Sequence, residues 1–293
     1  MKTILLTVWM FVALTLNAQD VPIVVTAEWV KQHENDTKLV ILQPGFLKWD
    51  YEAEHIPNAR FVWIPSLAPD TPEGGSMNAP DVKAATKILQ SLGVSNDSHV
   101  VVCHIRNEVS PSARIFLTLE QLGLKGRVSF LNGGLEAWKK AGYAVTKELP
   151  IIQKGKFKPS VVPVLVDKNY VMSKMQSPDA VIIDARAKRF YDGEPVGNPR
   201  DGHITGAKNI PYQEMVDASN MFKTVEQLQP YFTPVDESKK KELVAYCFIG
   251  QTASVVYMAG RILGYNMKLY DGSLQEWSRI PELPMETTAP EKK

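Results

Sequence analysis

In the second half of the chain, short apolar runs alternate with segments of helical periodicity. The runs "AVIID" (Ala180–Asp184), "ELVAYC" and "MKLYDG" are bounded by turn residues, as buried strands are. Between them, "TVEQLQPYF" and "TASVVYMAGRILG" place apolar residues at helical spacing, Gly264 stands at the helix C-cap, and "SLQEW" starts a further helix. Strands separated by helices pair in parallel, so the pattern predicts an α/β fold, a mainly parallel sheet with helices on both faces.

The chain repeats itself. "EHIPNARFVWIP" (54–65) is similar to "GHITGAKNIPYQ" (202–213), "VVVC" (100–103) to "VAYC" (244–247), and "FLNGGLEAW" (130–138) to "LYDGSLQEW" (269–277). Because the three matches come in the same order at a similar interval, they predict two tandem domains. The segment between them, rich in Pro and Lys, is typical of a linker. We therefore expect domains at 19–150 and 163–293, joined by a linker at 151–162.

The length and the net charge of the chain favour some classes of protein over others. The chain has 293 residues, 44% of them hydrophobic and 22% charged, which suits a globular protein of two domains. A net charge of +1 gives no strong field for nucleic acid or an anionic membrane, so we expect no nucleic-acid partner. The run Lys239–Lys241 is interpreted as the solvated entry to a strand.

The N-terminus has the pattern of a targeting segment. Lys2 is followed by the uncharged "TILLTVWMFVALTLNA", which ends in Ala18 before Gln19 and Asp20. A basic start, an apolar region and small residues before a polar switch predict a secretory signal peptide, residues 1–18, and an exported, periplasmic protein. The alternative is an uncleaved anchor, but the apolar run is shorter than the roughly 20 residues of a membrane span. We expect no stable membrane insertion.

Only two cysteines occur, Cys103 and Cys247, and each closes an apolar run before a loop. That equivalence indicates matching positions in two repeats instead of the two halves of a disulfide. A metal site is not expected, because neither cysteine has a second Cys or His at ligand spacing.

The loop after Cys247 favours a nucleophile. Gly250 permits a left-handed backbone, which lets the turn direct N–H groups at the sulfur, and a helix begins near Ala253. Such surroundings lower a thiol pKa from about 8.5 to about 3.5–7.5. The alternative interpretation of Cys247 is a small buried hydrophobic residue.

Phosphate-ester hydrolysis is not favoured by the spacing. Cysteine phosphatases need an arginine six positions after the cysteine to bind phosphate. That position holds Ala253 after Cys247 and Val109 after Cys103.

Together these motifs resemble the rhodanese superfamily, specifically its tandem-domain sulfurtransferases. The resemblance runs through "IIDARAKRFYDGEPVGNPRDGHITGAKNIP" (182–211), "YCFIGQTAS" (246–254), "YDGSLQEW" (270–277) and "PELPMET" (281–287). It implies that Cys247 takes a sulfane sulfur from a small anionic donor, thiosulfate or 3-mercaptopyruvate. The resulting persulfide passes the sulfur to cyanide or a thiol, and no cofactor or metal is implied.

The resemblance also implies roles for neighbouring residues. Arg189 and Arg200 match positions that bind the anionic donor. Asp184 and Arg186 are interpreted as a scaffold pair that holds the "GHITGA" turn, and His203 as a hydrogen-bonded turn residue. The donor is further expected to contact the cysteine loop, namely Phe248, Ile249, Gly250, Gln251, Thr252 and Ala253.

Two departures leave alternatives open. Phe248 and Ile249 stand where thiosulfate-type enzymes carry Arg and Lys and mercaptopyruvate-type enzymes carry Gly and Ser, so the donor stays undecided. In the first repeat "LQP" (42–44) replaces "DAR", and either Cys103 or His104 occupies the cysteine position. We expect an inactive first domain that covers the mouth of the second and shapes the donor pocket. The rival hypotheses are a persulfide carrier for an unidentified protein partner and a structural protein with inert or bridged cysteines.

Overall fold

The computed structural model describes residues 21–106 and 108–288. The predicted signal peptide lies outside the described residues. Within them the chain forms two five-stranded sheets whose strand pairs are all parallel. The α/β prediction of two tandem domains is confirmed.

The first sheet has the strand order β1-β5-β4-β2-β3. Its strands are β1 (Val24–Val25), β2 (Leu39–Gly45), β3 (Arg60–Trp63), β4 (His99–Val102) and β5 (Val128–Leu131). Its helices are α1 (Ala27–Gln32), α2 (Trp49–Ala53), α3 (Ile64–Leu67), α4 (Val82–Ser91), α5 (Val109–Leu119) and α6 (Gly134–Lys140), with a π-type turn at Glu120–Leu124.

The second sheet has the order β6-β11-β10-β7-β9, which repeats the topology of the first. Its strands are β6 (Leu165–Val166), β7 (Ala180–Asp184), β9 (Lys208–Asn209), β10 (Glu242–Tyr246) and β11 (Asn266–Tyr270). The helices are α7 (Lys168–Lys174), α8 (Lys188–Asp192), α9 (Val225–Asp236), α10 (Ala253–Ile262) and α11 (Ser273–Trp277), with a 3-10 turn at Tyr212–Met215. A short antiparallel pair, β8 (His203–Ile204) with β12 (Met285–Glu286), ties the C-terminal segment to the second domain.

Successive side chains of a strand point to opposite faces of a sheet, and both faces here are apolar. In β10, Leu243 and Ala245 join one core cluster, whereas Val244 and Tyr246 join another. The first of these clusters also contains the inward-facing residues of β2, β4 and β5. One continuous core therefore runs through the contact between the domains, with a separate core on the outer face of each sheet.

Helices α5 and α10 pack against each other at this contact. Gln251 Nε2 donates to Ser110 Oγ at 2.9 Å, and Arg261 Nη1 donates to Glu120 Oε2 at 2.7 Å. Both pairs are separated by 141 residues, which is also the interval between Gly123 and Gly264, the left-handed glycines that follow α5 and α10. Contacts between equivalent residues are what a local two-fold relation between the domains produces.

The predicted linker has no helix or strand between residues 151 and 162, yet it is packed on the first domain. Phe157 is fully buried, the N–H of Gly155 donates to the Gln90 carbonyl at 2.8 Å, and the N–H of Ser160 donates to the Leu122 carbonyl at 3.0 Å. The segment therefore fixes the spacing of the domains. Among the described residues, no helix is both long and apolar enough to cross a bilayer.

Candidate active site

Cys247 follows β10 directly, at the carboxyl edge of the second sheet, where ligands of open α/β sheets bind. The loop after it turns into α10 within five residues, and Gly250 takes the left-handed conformation, φ +80°. This is the turn that the sequence predicted. The cysteine itself is only 1% exposed, so its sulfur lies beneath the loop instead of open at the surface.

A second turn, after β11, holds the cysteine in place. The N–H of Cys247 donates to Ser273 Oγ at 3.3 Å, and the Cys247 carbonyl accepts from the N–H of Leu274 at 3.0 Å. The next carbonyl, of Phe248, accepts from the N–H of Gln275 at 2.8 Å. The "DGSLQ" motif is therefore the support of the cysteine loop, a role that the sequence did not predict for it.

Asp184 and Arg186 form a buried ion pair at the end of β7, as predicted for a scaffold. Arg186 Nη2 lies 2.6 Å from Asp184 Oδ2 and also donates to the Gly202 carbonyl at 2.7 Å. Tyr246, the residue before the cysteine, donates its hydroxyl to Asp184 Oδ2 at 2.8 Å. The pair thus connects β7, the "GHITGA" turn and the end of β10.

His203 is a hydrogen-bonded turn residue, in agreement with the sequence interpretation. Its ring is buried, stacks on Tyr191 with centroids 3.6 Å apart, and its Nδ1 is 2.7 Å from the Tyr191 carbonyl. Nε2 lies 3.2 Å from Glu286 Oε1. Both ring nitrogens are engaged in holding the turn, which leaves neither for proton transfer at the cysteine.

The two candidate donor-binding arginines differ. Arg189, on α8, is 64% exposed and has one loose contact, 3.7 Å to Glu194 Oε1, besides stacking over Phe190. Phe190 in turn meets the ring of Phe248 edge-on at 5.3 Å, so Arg189 lies on the same side of the domain as the cysteine loop.

Arg200 does not have the predicted arrangement. All five N–H donors of a guanidinium are used here by backbone carbonyls at the end of α11 and in the segment after it, at distances of 2.6 to 3.4 Å. These carbonyls belong to Trp277, Ser278, Ile280, Pro281 and Leu283. The structure therefore gives Arg200 the role of fixing the C-terminal segment, with no donor left for a substrate anion.

The other residues of the loop after Cys247 differ in how far they are buried. Phe248, Ile249, Gln251 and Thr252 are half-buried, whereas Gly250 and Ala253 are buried. The Phe248 ring lies beneath the Arg186 guanidinium at 4.9 Å, and Ile249 packs on the core shared by the domains. No side chain of this loop carries a charge.

Residues of the first domain reach the support of the cysteine loop; the sequence predicted that this domain covers the mouth of the second but did not identify these residues. Arg114 on α5 bonds Asp271 at the start of the supporting turn, at 2.5 Å. Asp271 Oδ2 also accepts the N–H of Ala79, and Gln275 accepts the N–H of Ser76, both at 2.9 Å. The repeat predicted two equivalent helices, α5 and α10, and the structure shows that they lie side by side.

A cavity of about 860 Å³ lies between the domains against the same supporting turn. Residues of the first domain, including Asn78 and Ala79, line it together with Asp271, Gly272 and Gln275 of the second. Cys247 is not among the lining residues, so the cavity lies beside the cysteine loop and does not open onto the sulfur.

The first-domain cysteine differs from Cys247 in its neighbours. Cys103 is a fully buried free thiol whose pKa is raised by burial. The adjacent His104 is also buried, and burial lowers the pKa of its ring to about 4. A neutral thiol beside a neutral imidazole is not an activated nucleophile.

Comparison with known proteins agrees with this picture of two α/β units, each with a cysteine loop at the carboxyl edge of a parallel sheet. The rhodanese-like domain family matches residues 26–141 and 167–280. The chain therefore belongs to the rhodanese-like family, as a tandem-domain member of its sulfurtransferases, and the predicted enzyme class is confirmed.

Several relatives are similar over nearly their whole length. The 3-mercaptopyruvate sulfurtransferase of Escherichia coli (strain K12) is 31% identical over 277 residues, covering 89% of this chain and 97% of the relative. The sulfur carrier protein TtuD of Thermus thermophilus is 28% identical over 284 residues, 90% of this chain and 96% of the relative. The crystal structure of SseA from Escherichia coli, a 3-mercaptopyruvate sulfotransferase, superposes with a TM-score of 0.75 at 28% identity and covers 86% of this chain and 99% of that one.

Proposed function

We propose that Cys247 is the nucleophile of a sulfur transfer from a small anionic donor, thiosulfate or 3-mercaptopyruvate. Its thiolate attacks the terminal sulfur of the donor and forms a new S–S bond. The donor's own bond to that sulfur breaks, and its electron pair leaves with sulfite or pyruvate enolate. A thiol or cyanide then attacks the outer sulfur of the persulfide and regenerates the thiolate.

The observation that supports this proposal best is the geometry of the loop after β10. Gly250 has a left-handed backbone, α10 begins at Ala253, and the carbonyls of Cys247 and Phe248 are held by the N–H groups of Leu274 and Gln275. We infer that the amides of this turn face the sulfur. Preorganised N–H donors stabilise the anionic terminal sulfur of a persulfide without reorganisation.

Access to the sulfur favours small donors. With Cys247 only 1% exposed, the donor approaches past the half-buried Phe248 and Ile249. Arg189 is the exposed cation of α8 beside Phe190 and Phe248, and it is proposed to attract the donor anion. A charge-assisted bond to such an anion is roughly twice as strong as a neutral one.

Cyanolysis tests this function. The purified chain is expected to form thiocyanate from cyanide with thiosulfate or 3-mercaptopyruvate. The coloured iron complex of thiocyanate measures the product. Cys247→Ser should abolish the activity, because serine forms no persulfide. Cys103→Ser is the matched control and should keep it. The reverse pattern would exclude Cys247 as the nucleophile.

A second candidate function is a persulfide carrier for a protein partner. It is favoured by the burial of Cys247, which shields a persulfide from water, and by the similarity to a relative that is a sulfur carrier protein. A gain of one sulfur atom on the Cys247 peptide after incubation with donor, without turnover of cyanide, distinguishes the carrier from the enzyme.

We infer that the protein is exported and that residues 1–18 are removed. The support is the basic, apolar and small-residue pattern that ends at Ala18. Mass spectrometry of the protein from the periplasmic fraction is expected to find Gln19 at the N-terminus. Recovery of the full chain from membranes would favour the uncleaved anchor.

A further inference from the structure

A buried arginine of the first domain lies directly behind the Cys247 loop. The Arg114 side chain is 0% exposed, and its Nη2 bonds Asp271 Oδ1 at 2.5 Å. Its Nη1 lies 3.2 Å from the position that a Cβ would take on Gly250, three residues after Cys247. Helix α5 therefore places a positive charge against a loop that has none of its own.

This guanidinium is only partly compensated. Its Nε and Nη1 are buried and have no hydrogen-bond partner among the described residues. Asp271 offers Arg114 only one carboxylate oxygen, Oδ1, because its Oδ2 accepts the N–H of Ala79 at 2.9 Å. Unpaired buried donors on a charged group are costly, and they leave the positive charge of this guanidinium only partly compensated. On the second domain, Nη1 lies against the loop at Gly250.

The internal repeat shows that this charge serves one loop only. The interval of 141 residues that relates Ser110 to Gln251 also relates Arg114 to Val255. The equivalent position of α10 thus holds an apolar residue, and the Cys103 loop receives no matching cation from it. The asymmetry agrees with a single reactive cysteine in the second domain.

The other ionisable groups near the sulfur come from two strands. Arg186, at the end of β7, interacts electrostatically with Cys247, and its guanidinium is paired with the buried Asp184 carboxylate. Asp271, at the end of β11, opposes Arg114. Unlike Arg186, whose Nε and Nη2 are both paired with Asp184, Arg114 has two buried guanidinium nitrogens, Nε and Nη1, without a hydrogen-bond partner among the described residues.

We propose that Arg114 is a positioning residue of the Cys247 site, which supplies from the first domain the positive charge that the loop Phe248–Thr252 lacks. A nearby opposite charge in a low-dielectric interior favours the charged form of a group, and Arg114 lies against the loop three residues after Cys247. Arg114 thus stabilises the thiolate and the persulfide anion of Cys247. The proposal rests on the proposed function only for the identity of the reacting sulfur.

The test is the pH dependence of alkylation of Cys247 by iodoacetamide in the full chain, followed on the Cys247 peptide by mass spectrometry. Arg114→Met removes the charge at similar length, and we expect the midpoint to move up by about one pH unit, which lowers the rate about tenfold at pH values below both midpoints. Arg114→Lys keeps the charge and should restore most of the rate. Asp271→Asn removes the opposing charge and should move the midpoint down.

Arg261→Met is the matched control, because it removes another largely buried cation of the α5–α10 contact that is not among the atoms nearest Gly250. It should lower stability without moving the alkylation midpoint. An unchanged midpoint in Arg114→Met, or shifts of the same sign in Arg114→Met and Asp271→Asn, would overturn the proposal. If Arg114→Met does not fold, the sign of the Asp271→Asn shift decides.

Alkylation requires no sulfur transfer, so the two hypotheses fail separately. If the alkylation midpoints shift as expected but the protein shows no cyanolysis, the proposed function is wrong and the role of Arg114 is still supported. Cyanolysis through Cys247 with no midpoint shift would do the opposite.

Discussion

The carboxylate of Asp184 is buried, and its burial is tolerated only because neighbouring groups pair with it and donate hydrogen bonds to it. Arg186 compensates Asp184 with Nε and Nη2, and the Tyr246 hydroxyl and the N–H of Arg186 complete its hydrogen bonds. Removing one partner of such a pair leaves a buried charge uncompensated, which costs far more than the pair itself contributes. The pair therefore holds the end of β7 against the end of β10.

Arg186→Met is expected to lower the free energy of unfolding by about 3 kcal/mol, measured by urea denaturation. The control is Lys188→Met, which removes one partner of the exposed pair Lys188–Asp192. A solvated pair contributes about 0.5 kcal/mol or less, so this variant should unfold almost as the native protein does. Equal losses in both variants would show that the buried pair has no special role.

His104 makes the stability of the chain sensitive to acid. Burial lowers the pKa of its ring to about 4, whereas the unfolded chain has the ordinary value near 6.5. The stability contribution of the neutral ring is therefore complete above pH 6.5 and is lost as the pH falls toward 4, because the unfolded state then binds the proton more readily.

Replacing His104 by Gln removes this titration. We expect the free energy of unfolding to fall between pH 7 and pH 5 by about 1–2 kcal/mol less in His104→Gln than in the native protein. His99, whose pKa burial also lowers to about 4, stays in both proteins and cancels in the comparison. Parallel pH profiles for the two proteins would contradict the assignment.

At the scale of an element, the β10–α10 turn depends on one backbone conformation. Gly250 and Gly264 both have φ near +80°, but they differ in space. A Cβ on Gly250 would lie 3.2 Å from Arg114 Nη1 and from the Asp271 carbonyl, whereas a Cβ on Gly264 would have nothing within 4 Å. The two positions therefore separate backbone strain from crowding.

Gly264→Ala is expected to cost about 1 kcal/mol of stability, from the left-handed backbone alone, and to leave persulfide formation unchanged. Gly250→Ala should cost more and also impair persulfide formation, because the loop has to move away from Arg114 and Asp271. Thermal unfolding and mass spectrometry of the Cys247 peptide measure the two effects. Equal stability and equal persulfide formation in both variants would show that the turn tolerates displacement.

The elements that a local pattern specifies could be predicted from the sequence. The apolar run that ends at Tyr246 and the Gly264 stop gave β10 and α10 correctly, because they depend on neighbouring residues. Helix α9 was predicted to begin in "TVEQ", and Thr224 does cap it, but it continues to Asp236 through two prolines. Core burial of Leu228 and Phe232 outweighs the helix-breaking tendency of those prolines.

The parts of the site that depend on distant contacts could not be predicted. Arg200 was assigned to the donor because its place in the motif fits, yet the five carbonyls that it binds lie 77 to 83 residues further along the chain. Arg114 was given no role, since nothing near it in the sequence indicates that Asp271 is its partner. Such pairings follow from the docking of the domains, which local periodicity does not encode.

At the scale of the whole molecule, the two domains share a core and a buried ionic contact. Glu120 is buried, accepts the Tyr257 hydroxyl at 2.6 Å and binds Arg261 at 2.7 Å across the α5–α10 contact. The packed linker adds contacts along the first domain. Since neither half buries its inner face without the other, we expect the described domains to unfold in one cooperative transition.

Reversing the charge at Glu120 tests this coupling. Glu120→Lys places two cations against each other at a buried contact, so it should lower the free energy of unfolding by about 3 kcal/mol or more and split the single calorimetric transition into two. Glu34→Lys makes the same change in the exposed pair Lys31–Glu34 and should keep one transition near the native temperature. Two transitions already present in the native protein would contradict the shared core. If Glu120→Lys separates the domains, the pH midpoint of Cys247 alkylation should also move up, because the sulfur then loses the charge that we propose Arg114 contributes from α5.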